Sequence, residues 1–307
     1  MADIALRAQP SSRISYRTGI LLVLLAGACW STMGLGIRLM QEATVWQILF
    51  YRSLALAPLL FLVIAIRSRG RPFRVIRSAG LSSVSGGLAL VGAFAGGIFA
   101  IQQTTVANAM FLFAAAPFFA AVLGRLLLGE RVRPATWIAM AVGAVGIATM
   151  VQEGVALGNW LGDAMAMLSG FSFAVFTLAL RNNKSQDMLP AVFLSGVFAI
   201  VIAGAMCWVL ELGFVLPAND IGIALALGIF QLGTGLSIFT VGSKVVPAAE
   251  LALLSMTEVV LGPLWVWLFL GETASLQTLV GGSVLLAAIG GNALTGLRRG
   301  PGPIGLR

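Results

Sequence analysis

The sequence has no histidine and very little charge. Among its 307 residues there is no His, and Asp, Glu, Lys and Arg together make up only 10%. The lack of histidine excludes imidazole metal sites, histidine proton relays and Ser-His or Cys-His catalysis. The two cysteines, Cys29 and Cys207, lie inside apolar runs and are interpreted as small buried side chains. No H-E-x-x-H, G-x-S-x-G, P-loop or C-x-x-C pattern is present, so we expect no enzyme activity, metal or cofactor.

What the sequence has in excess is apolar surface. Hydrophobic residues make up 59% of it, and the mean hydropathy is +0.99. A soluble domain carries about 25% charged residues, which this chain could not supply to cover its core, so the excess is expected to face lipid. The net charge of +8 would suggest nucleic acid in a soluble protein. Here the basic residues lie in short loops between apolar runs, so we expect a lipid bilayer and no nucleic acid.

The apolar residues form ten runs that are long enough to cross a bilayer, which takes about 20 residues. The run after Arg17 is too long for a signal peptide and is interpreted as the first span. The predicted fold class is an all-α membrane protein with cytoplasmic tails at 1–17 and 297–307. The ten predicted spans are 18–39, 45–66, 79–100, 104–127, 133–151, 159–181, 188–211, 220–241, 246–270 and 274–296.

The basic residues give the spans a direction. If the N-terminus is cytoplasmic, all of the 19 Lys and Arg residues except Arg38 and Arg52 fall on the cytoplasmic side. This distribution obeys the positive-inside rule and predicts that both termini are cytoplasmic. The opposite loops are predicted to carry the acids Glu42, Glu153, Asp163, Glu211, Asp220 and Glu272.

The chain also contains a weak internal repeat. Segments 106–131 and 248–273 are both apolar, contain a proline and include Leu-Gly-Glu, and their Gly-Glu pairs lie 142 residues apart. A similar offset places Arg38 near Arg181. Residues 18–151 would then be repeated by residues 159–296. Because five spans is an odd number, the two halves would enter the membrane in opposite senses, as in many secondary transporters. The alternative is that apolar helices resemble one another by composition alone.

Several motifs are shared with a known family. They are the Trp30-Ser31 pair, Arg52, the V-A-N-A and A-A-P stretch through Pro117, and the Gly-Glu pairs at 129–130 and 271–272. Over residues 18–296 the chain resembles the drug/metabolite transporter (DMT) superfamily, in particular its EamA-type members. The resemblance implies a carrier of the bacterial inner membrane that works by alternating access. It also implies export, usually of amino acids, other metabolites or toxic compounds.

Two charged residues, Glu258 and Arg52, lie well inside predicted spans and away from the span ends. Glu258 lies mid-span, where a charge costs at least about 2.5–3.5 kcal/mol and therefore needs a cavity or a partner. It could bind a substrate amine, take up a proton and couple transport to the proton gradient, or be a structural core residue. Arg52 could pair with Glu258, bind a substrate carboxylate or phosphate as a planar fork, or extend toward the outer interface.

Further candidates for substrate binding are uncharged. Trp30 and Ser31 lie too deep for an interfacial aromatic belt, so they line the pathway or fill the core. Asn108 lies near the start of the fourth span, and Gln231 is polar at depth in the eighth, where it could equally join two helices. Trp265 lies near the helix face of Glu258, which we interpret as the cavity face.

Glycines and prolines at the two Gly-Glu motifs carry structural expectations. Gly129 and Gly271 are predicted to end helices, with Glu130 and Glu272 beginning the next ones. Pro117 and Pro263 are expected to bend the helices around a cavity.

Together these features predict a secondary active transporter, and the paired Glu and Arg suggest that it exports amino acids or related zwitterionic compounds. Two halves would rock about a central cavity, and the protein would be a monomer or a homodimer in the bacterial inner membrane. The alternatives are a lipid-handling protein or scramblase, an exporter of hydrophobic drugs, and an oligomeric channel.

Overall fold

A computed structural model describes residues 14–182 and 188–297, and these form ten helices long and apolar enough to cross a membrane. The all-α fold with ten spans is thus confirmed, and the largest boundary difference is span 5, predicted to end at 151 and extending to Ala156. The predicted tails lie largely outside the described residues. We number the helices as spans 1 to 10: Tyr16–Arg38, Val45–Arg67, Gly80–Gln103, Val106–Leu128, Pro134–Ala156, Trp160–Asn182, Leu189–Val209, Ala218–Gly242, Ala248–Leu270 and Leu276–Leu297.

Span 4 is interrupted, whereas span 9 is not. Span 4 starts at the N-cap Thr105, whose side chain accepts a hydrogen bond from the backbone N–H of Asn108. Its α-helix stops at Phe113 and resumes at Ala116, with Pro117 in the first turn of the second piece. Proline has no N–H, so Pro117 cannot donate to the carbonyl of Phe113, four residues back, where the first piece ends. Span 9 runs as one helix through Pro263.

Span 8 contains a feature that the sequence did not predict. Between two α-helical pieces, Ala218–Ala226 and Gly235–Gly242, residues Leu227–Thr234 form a π-helix. The Thr234 hydroxyl donates to the carbonyl of Ile229, five residues back, at 3.0 Å. Such segments are rare and occur frequently at functional sites.

The predicted helix ends at the two Gly-Glu motifs are confirmed. Gly129 and Gly271 are left-handed C-caps with φ of 66° and 68°, a conformation that glycine adopts without strain. The prediction that Glu130 and Glu272 begin the next helices is wrong. The next helices start at Pro134 and Leu276, so both carboxylates lie in connecting loops where they are free to reach other spans.

Spans that are distant in sequence pack closely. Span 1 packs against spans 8 and 9, span 2 against 7 and 8, span 3 against 6 and 7, span 4 against 6, and span 5 against 10. Small residues allow the closest of these approaches. A Cβ on Gly146 of span 5 would lie 2.4 Å from the carbonyl oxygen of Gly281 in span 10, so the two backbones touch directly.

Two acids that were predicted in loops are buried instead. Asp163 is 1% exposed in the first turn of span 6, and Asp220 is 0% exposed in the first turn of span 8. The free N–H groups of a helix start favour a carboxylate at such a position. Asp220 also accepts hydrogen bonds from the backbone N–H groups of Gln41, Glu42 and Ala43, which compensate for its burial.

Candidate functional site

Arg52 is the most unusual side chain in the described structure. It is 1% exposed in span 2, and both Nε and Nη2 are buried without a hydrogen-bond partner. Its guanidinium carbon lies 4.5 Å from the centre of the Phe94 ring in span 3, a cation–π contact. No acid of the described chain forms an ion pair with it, and the pairing with Glu258 considered from sequence is absent. Because an unpaired buried charge is costly, this guanidinium is poised to bind an anionic group.

The π-helix of span 8 lies against Arg52 and span 1. A Cβ on Gly228 would lie 2.2 Å from the backbone oxygen of Arg52, so only glycine permits this approach. Three residues further on, Gln231 donates from Nε2 to the backbone oxygen of Trp30 at 3.4 Å. Its Oε1 is buried without a partner. The π-helix thus presents an unused acceptor at the contact between spans 1, 2 and 8.

Trp30 adds an unused donor to the same region. Its indole Nε1 is buried and has no acceptor. A Cβ on Gly235 would lie 2.5 Å from that nitrogen, and the Phe239 ring lies 5.1 Å from the Trp30 ring. Trp30 and Phe94 belong to one hydrophobic cluster. Buried polar atoms are normally satisfied, so the unused atoms of Trp30 and Gln231 at the π-helix, and of Arg52 beside Phe94, are candidate contacts for a polar ligand.

Ser31 and Trp265 satisfy each other. Trp265 Nε1 donates to Ser31 Oγ at 2.8 Å, and Ser31 Oγ donates to the carbonyl of Ala28 at 2.7 Å. Ser31 is fully buried, whereas Trp265 is partly exposed. This bond joins spans 1 and 9 next to Trp30 and fixes the orientation of the Trp265 indole.

Glu258 lies in span 9 opposite span 1 and is half-buried. A Cβ on Gly27 would lie 3.6 Å from the backbone nitrogen of Glu258, so the two helices approach closely there. The Glu258 carboxylate forms no hydrogen bond or ion pair with any described residue. It therefore remains free to bind a cationic group.

Asn108 is placed in a different group of polar residues. Its Nδ2 donates to Thr104 Oγ1 at 3.1 Å and to Asp163 Oδ1, while its own Oδ1 is buried without a partner. The sequence analysis placed Asp163 in a loop and did not identify it as a partner of Asn108, although an acid at a helix start is a recognisable signal.

Two ion pairs join helices across the chain. Arg38, at the end of span 1, pairs with Glu272 after span 9 at 2.7 Å. Arg181, near the end of span 6, pairs with Glu130 after span 4 at 2.8 Å. Because consecutive spans are joined by short connections, these pairs mark the two ends of the helical bundle, which we call the Arg38 end and the Arg181 end. Asn108 and Asp163 lie at the Arg38 end.

A groove of about 830 Å³ opens at the Arg38 end. Residues from spans 1, 2, 3 and 6 line it, among them Arg38, Gln41, Trp46, Gln102 and Met165. None of the residues predicted to bind substrate lines this groove. In the described part of the chain, no cluster of three or more Cys, Asp or Glu residues could hold a metal ion.

Comparison with known proteins gives consistent results. The sequence model of the EamA-like transporter family matches residues 17–152 and again residues 160–293. The chain is 27% identical to the pseudopaline exporter CntI of Pseudomonas aeruginosa (strain UCBPP-PA14), over 89% of this chain and 94% of that protein. It is also 27% identical to a riboflavin transporter of Rhizobium johnstonii, over 94% of each chain. A solved crystal structure shares the fold, with a TM-score of 0.64 and 19% identity, covering 93% of this chain and 100% of the other.

Proposed function

The chain belongs to the EamA-like transporter family, and on this premise we propose that it is a secondary carrier that exports amino acids or related zwitterionic metabolites. Membership makes it a multi-pass membrane transporter of small molecules within the DMT superfamily. The proposal concerns the substrate class, the direction and the mechanism.

The unpaired guanidinium of Arg52 is the observation that carries the substrate class. A planar fork with free N–H groups suits a carboxylate, which accepts two parallel hydrogen bonds. Trp30 Nε1 supplies a further donor and Gln231 Oε1 an acceptor for the same ligand. Glu258, free of partners on span 9, supplies the negative charge for a substrate amine. A molecule with one carboxylate and one amine matches this pair of charges.

Alternating access between two inverted halves is supported by the packing pattern. If spans 1–5 correspond to spans 6–10, the most extensive contacts between different spans have counterparts: 1–9 with 4–6, 1–8 with 3–6, and 2–8 with 3–7. Spans 2 and 7, and spans 5 and 10, pack against their own counterparts. The family model matching the chain twice supports the same division. A carrier of this kind exposes a midplane site alternately to each side.

The direction and location rest on charge and on relatives. The excess of Lys and Arg supports placing the Arg181 end and both termini in the cytoplasm, with the Arg38 end outside. A relative named as an exporter, together with other bacterial relatives, supports export across the bacterial inner membrane.

Counterflow in proteoliposomes tests this function. Vesicles are loaded with pools of unlabelled amino acids, other zwitterionic metabolites or nucleotides, and uptake of each labelled pool is followed. We expect accelerated exchange of a zwitterionic pool by the wild type and at least a tenfold loss in Arg52→Gln and in Glu258→Gln, since each loses about one charged hydrogen-bonded contact. Arg125→Gln and Glu211→Gln, at exposed positions, are the matched controls and should exchange normally.

Thermal stability separates a binding role from a structural one. Because Arg52 would lose only its cation–π contact with Phe94 and no ion pair with a described residue, Arg52→Gln should melt near or above the wild-type temperature while its exchange is lost. A zwitterionic ligand should raise the melting temperature of the wild type, because it binds only the folded state. Unchanged exchange in both Arg52→Gln and Glu258→Gln would overturn the proposed substrate site. Exchange of none of the pools would favour lipids or hydrophobic drugs as cargo.

A further inference from the structure

A second group of buried polar residues surrounds Asp163 at the Arg38 end. Asp163 is 1% exposed, and its neighbours Asn108 and Thr104 are 4% and 7% exposed. Asn108 Nδ2 donates to Asp163 Oδ1 and also to the Thr104 hydroxyl, at 3.1 Å. Asp163 Oδ2 and Asn108 Oδ1 are both buried without a partner. No Arg or Lys in the described part of the chain forms an ion pair with Asp163.

The surroundings of Asp163 contrast with those of Asp220. Both residues are buried in the first turn of a span. Asp220 has both carboxylate oxygens engaged by backbone N–H groups, as a permanently ionised group requires. Asp163 has only neutral side-chain partners and one unused oxygen, which leaves a negative charge poorly compensated.

From this geometry we infer that Asp163 is a proton-binding site that couples the transport proposed above to the proton gradient. Asn108 and Thr104 suit this role because an amide and a hydroxyl can each donate or accept. With Asp163 ionised, the Asn108 amide donates to it. With Asp163 protonated, an amide turned over accepts the new O–H, so a hydrogen bond persists in both states.

The packing around Asp163 favours a proton over a metal cation. A Cβ on Gly154 would lie only 1.8 Å from Asp163 Oδ2, so the backbone of span 5 lies directly against that oxygen. A sodium ion would need several oxygen ligands and room for its own radius, whereas a proton needs neither.

The site is connected to the ion pair of the Arg38 end. The Thr104 side chain accepts from Asn108, and its backbone oxygen accepts from Arg38 Nη2 at 2.7 Å. The charged groups around Asp163 are Glu153 on span 5, which accepts from Ser275 and Thr278, and the Arg38–Glu272 pair beyond Thr104. A change of charge at Asp163 is therefore transmitted to the residues that hold this end together.

The inference rests on the proposed carrier function, and two measurements separate their failures. The first uses proteoliposomes that hold the full-length protein and an exchanged substrate pool, with a pH gradient of one unit, acidic outside. If one proton is coupled to each substrate molecule, this gradient would drive about a tenfold ratio between the substrate concentrations on the two sides of the wild-type vesicle membrane. In Asp163→Asn we expect a ratio near one, with exchange at equal pH retained. Asp220→Asn is the control, because Asp220 is also a buried acid in the first turn of a span. Folded Asp220→Asn protein should keep the tenfold ratio.

The second measurement is an infrared difference spectrum of the protein in lipid, taken across a pH jump in the neutral range. We expect a carboxylic-acid C=O band in the wild type that is missing in Asp163→Asn. This readout needs no substrate and no transport.

Each possible outcome of these two measurements either supports or overturns the inference. Exchange without any response of the wild type to the pH gradient would overturn the inference and leave the carrier standing, as would a response lost in Glu258→Gln but kept in Asp163→Asn. A sodium gradient that replaces the pH gradient and depends on Asp163 would overturn the choice of a proton. If no pool exchanges, the carrier proposal and the coupling role fail together, and the presence or absence of the Asp163 infrared band decides whether Asp163 binds a proton.

Discussion

The Arg38 end and the Arg181 end use the same two residue types in different surroundings. At each end an arginine from the first span of one half binds the glutamate that follows the fourth span of the other half. At the Arg38 end, Glu272 Oε1 also accepts from the backbone N–H of Val106 at 2.7 Å, and Arg38 also donates to Thr104. At the Arg181 end, one hydrogen bond from Arg181 to Glu130 joins the end of span 6 to the loop after span 4.

The two ion pairs also differ in how exposed their side chains are. The side chains of Arg38 and Glu272 are 26% and 20% exposed, whereas those of Arg181 and Glu130 are 51% and 36% exposed. An exposed pair is worth about 0–1 kcal/mol, because water and salt screen it. A hydrogen bond from a backbone N–H to a partly buried charge is worth about 1.5–3 kcal/mol. Backbone hydrogen bonds around an ion pair, more than the pair itself, therefore determine how strongly the pair holds the spans together at each end.

The largest expected effect is at Glu272. Glu272→Ala removes the acceptor of Arg38 and of the Val106 N–H together, so we expect a loss of about 3 kcal/mol in the free energy of unfolding. Denaturant titration of the purified protein in micelles measures it, with Glu130→Ala as the matched variant. Equal losses for the two variants would contradict the difference between the ends.

A smaller effect, equal at both ends, is expected at the glycine caps. Gly129 and Gly271 have nearly the same φ, and no atom lies within 4 Å of a Cβ built on either. Gly129→Ala and Gly271→Ala should therefore each lose about 1–2 kcal/mol through backbone strain alone. The same titration checks this. Unequal losses would mean that the ends differ in their helix caps and not only in the partners of the two glutamates.

At these two ends the sequence predicted only features that depend on residues close together along the chain. The capping role of Gly129 and Gly271 follows from the preference of glycine for positive φ, and the ten spans follow from apolar length. The partners of Glu130 and Glu272 did not follow, because they lie on spans that are distant along the chain. The repeat offset relating Arg38 to Arg181 was visible, but it did not indicate which carboxylate each arginine would reach.

At the central site the same limit applies. Arg52, Trp30 and Gln231 were predicted from their polarity or depth, and the structure brings them to the contacts of one π-helix. The π-helix itself had no sequence signal beyond the glycines at its edges. Asp163 was assigned to a loop because its residue type and its position at a span end are typical of one, whereas tertiary packing, including contacts with Gly154 and Asn108, buries it.

The smallest effect on stability is expected at Glu130. Glu130→Ala removes one exposed bond, so its loss in unfolding free energy should be within about 1 kcal/mol. Transport should respond more strongly if the two ends close in turn. In the closed Arg181 end, Glu130 would reach the start of span 9 as Glu272 reaches the start of span 4, and that contact would be part of each cycle. Counterflow therefore should fall at least about tenfold in Glu130→Ala, the equivalent of 1.4 kcal/mol. Normal counterflow together with normal stability would mean that the Arg181–Glu130 pair is a surface contact only, and that the closing of this end depends on other residues.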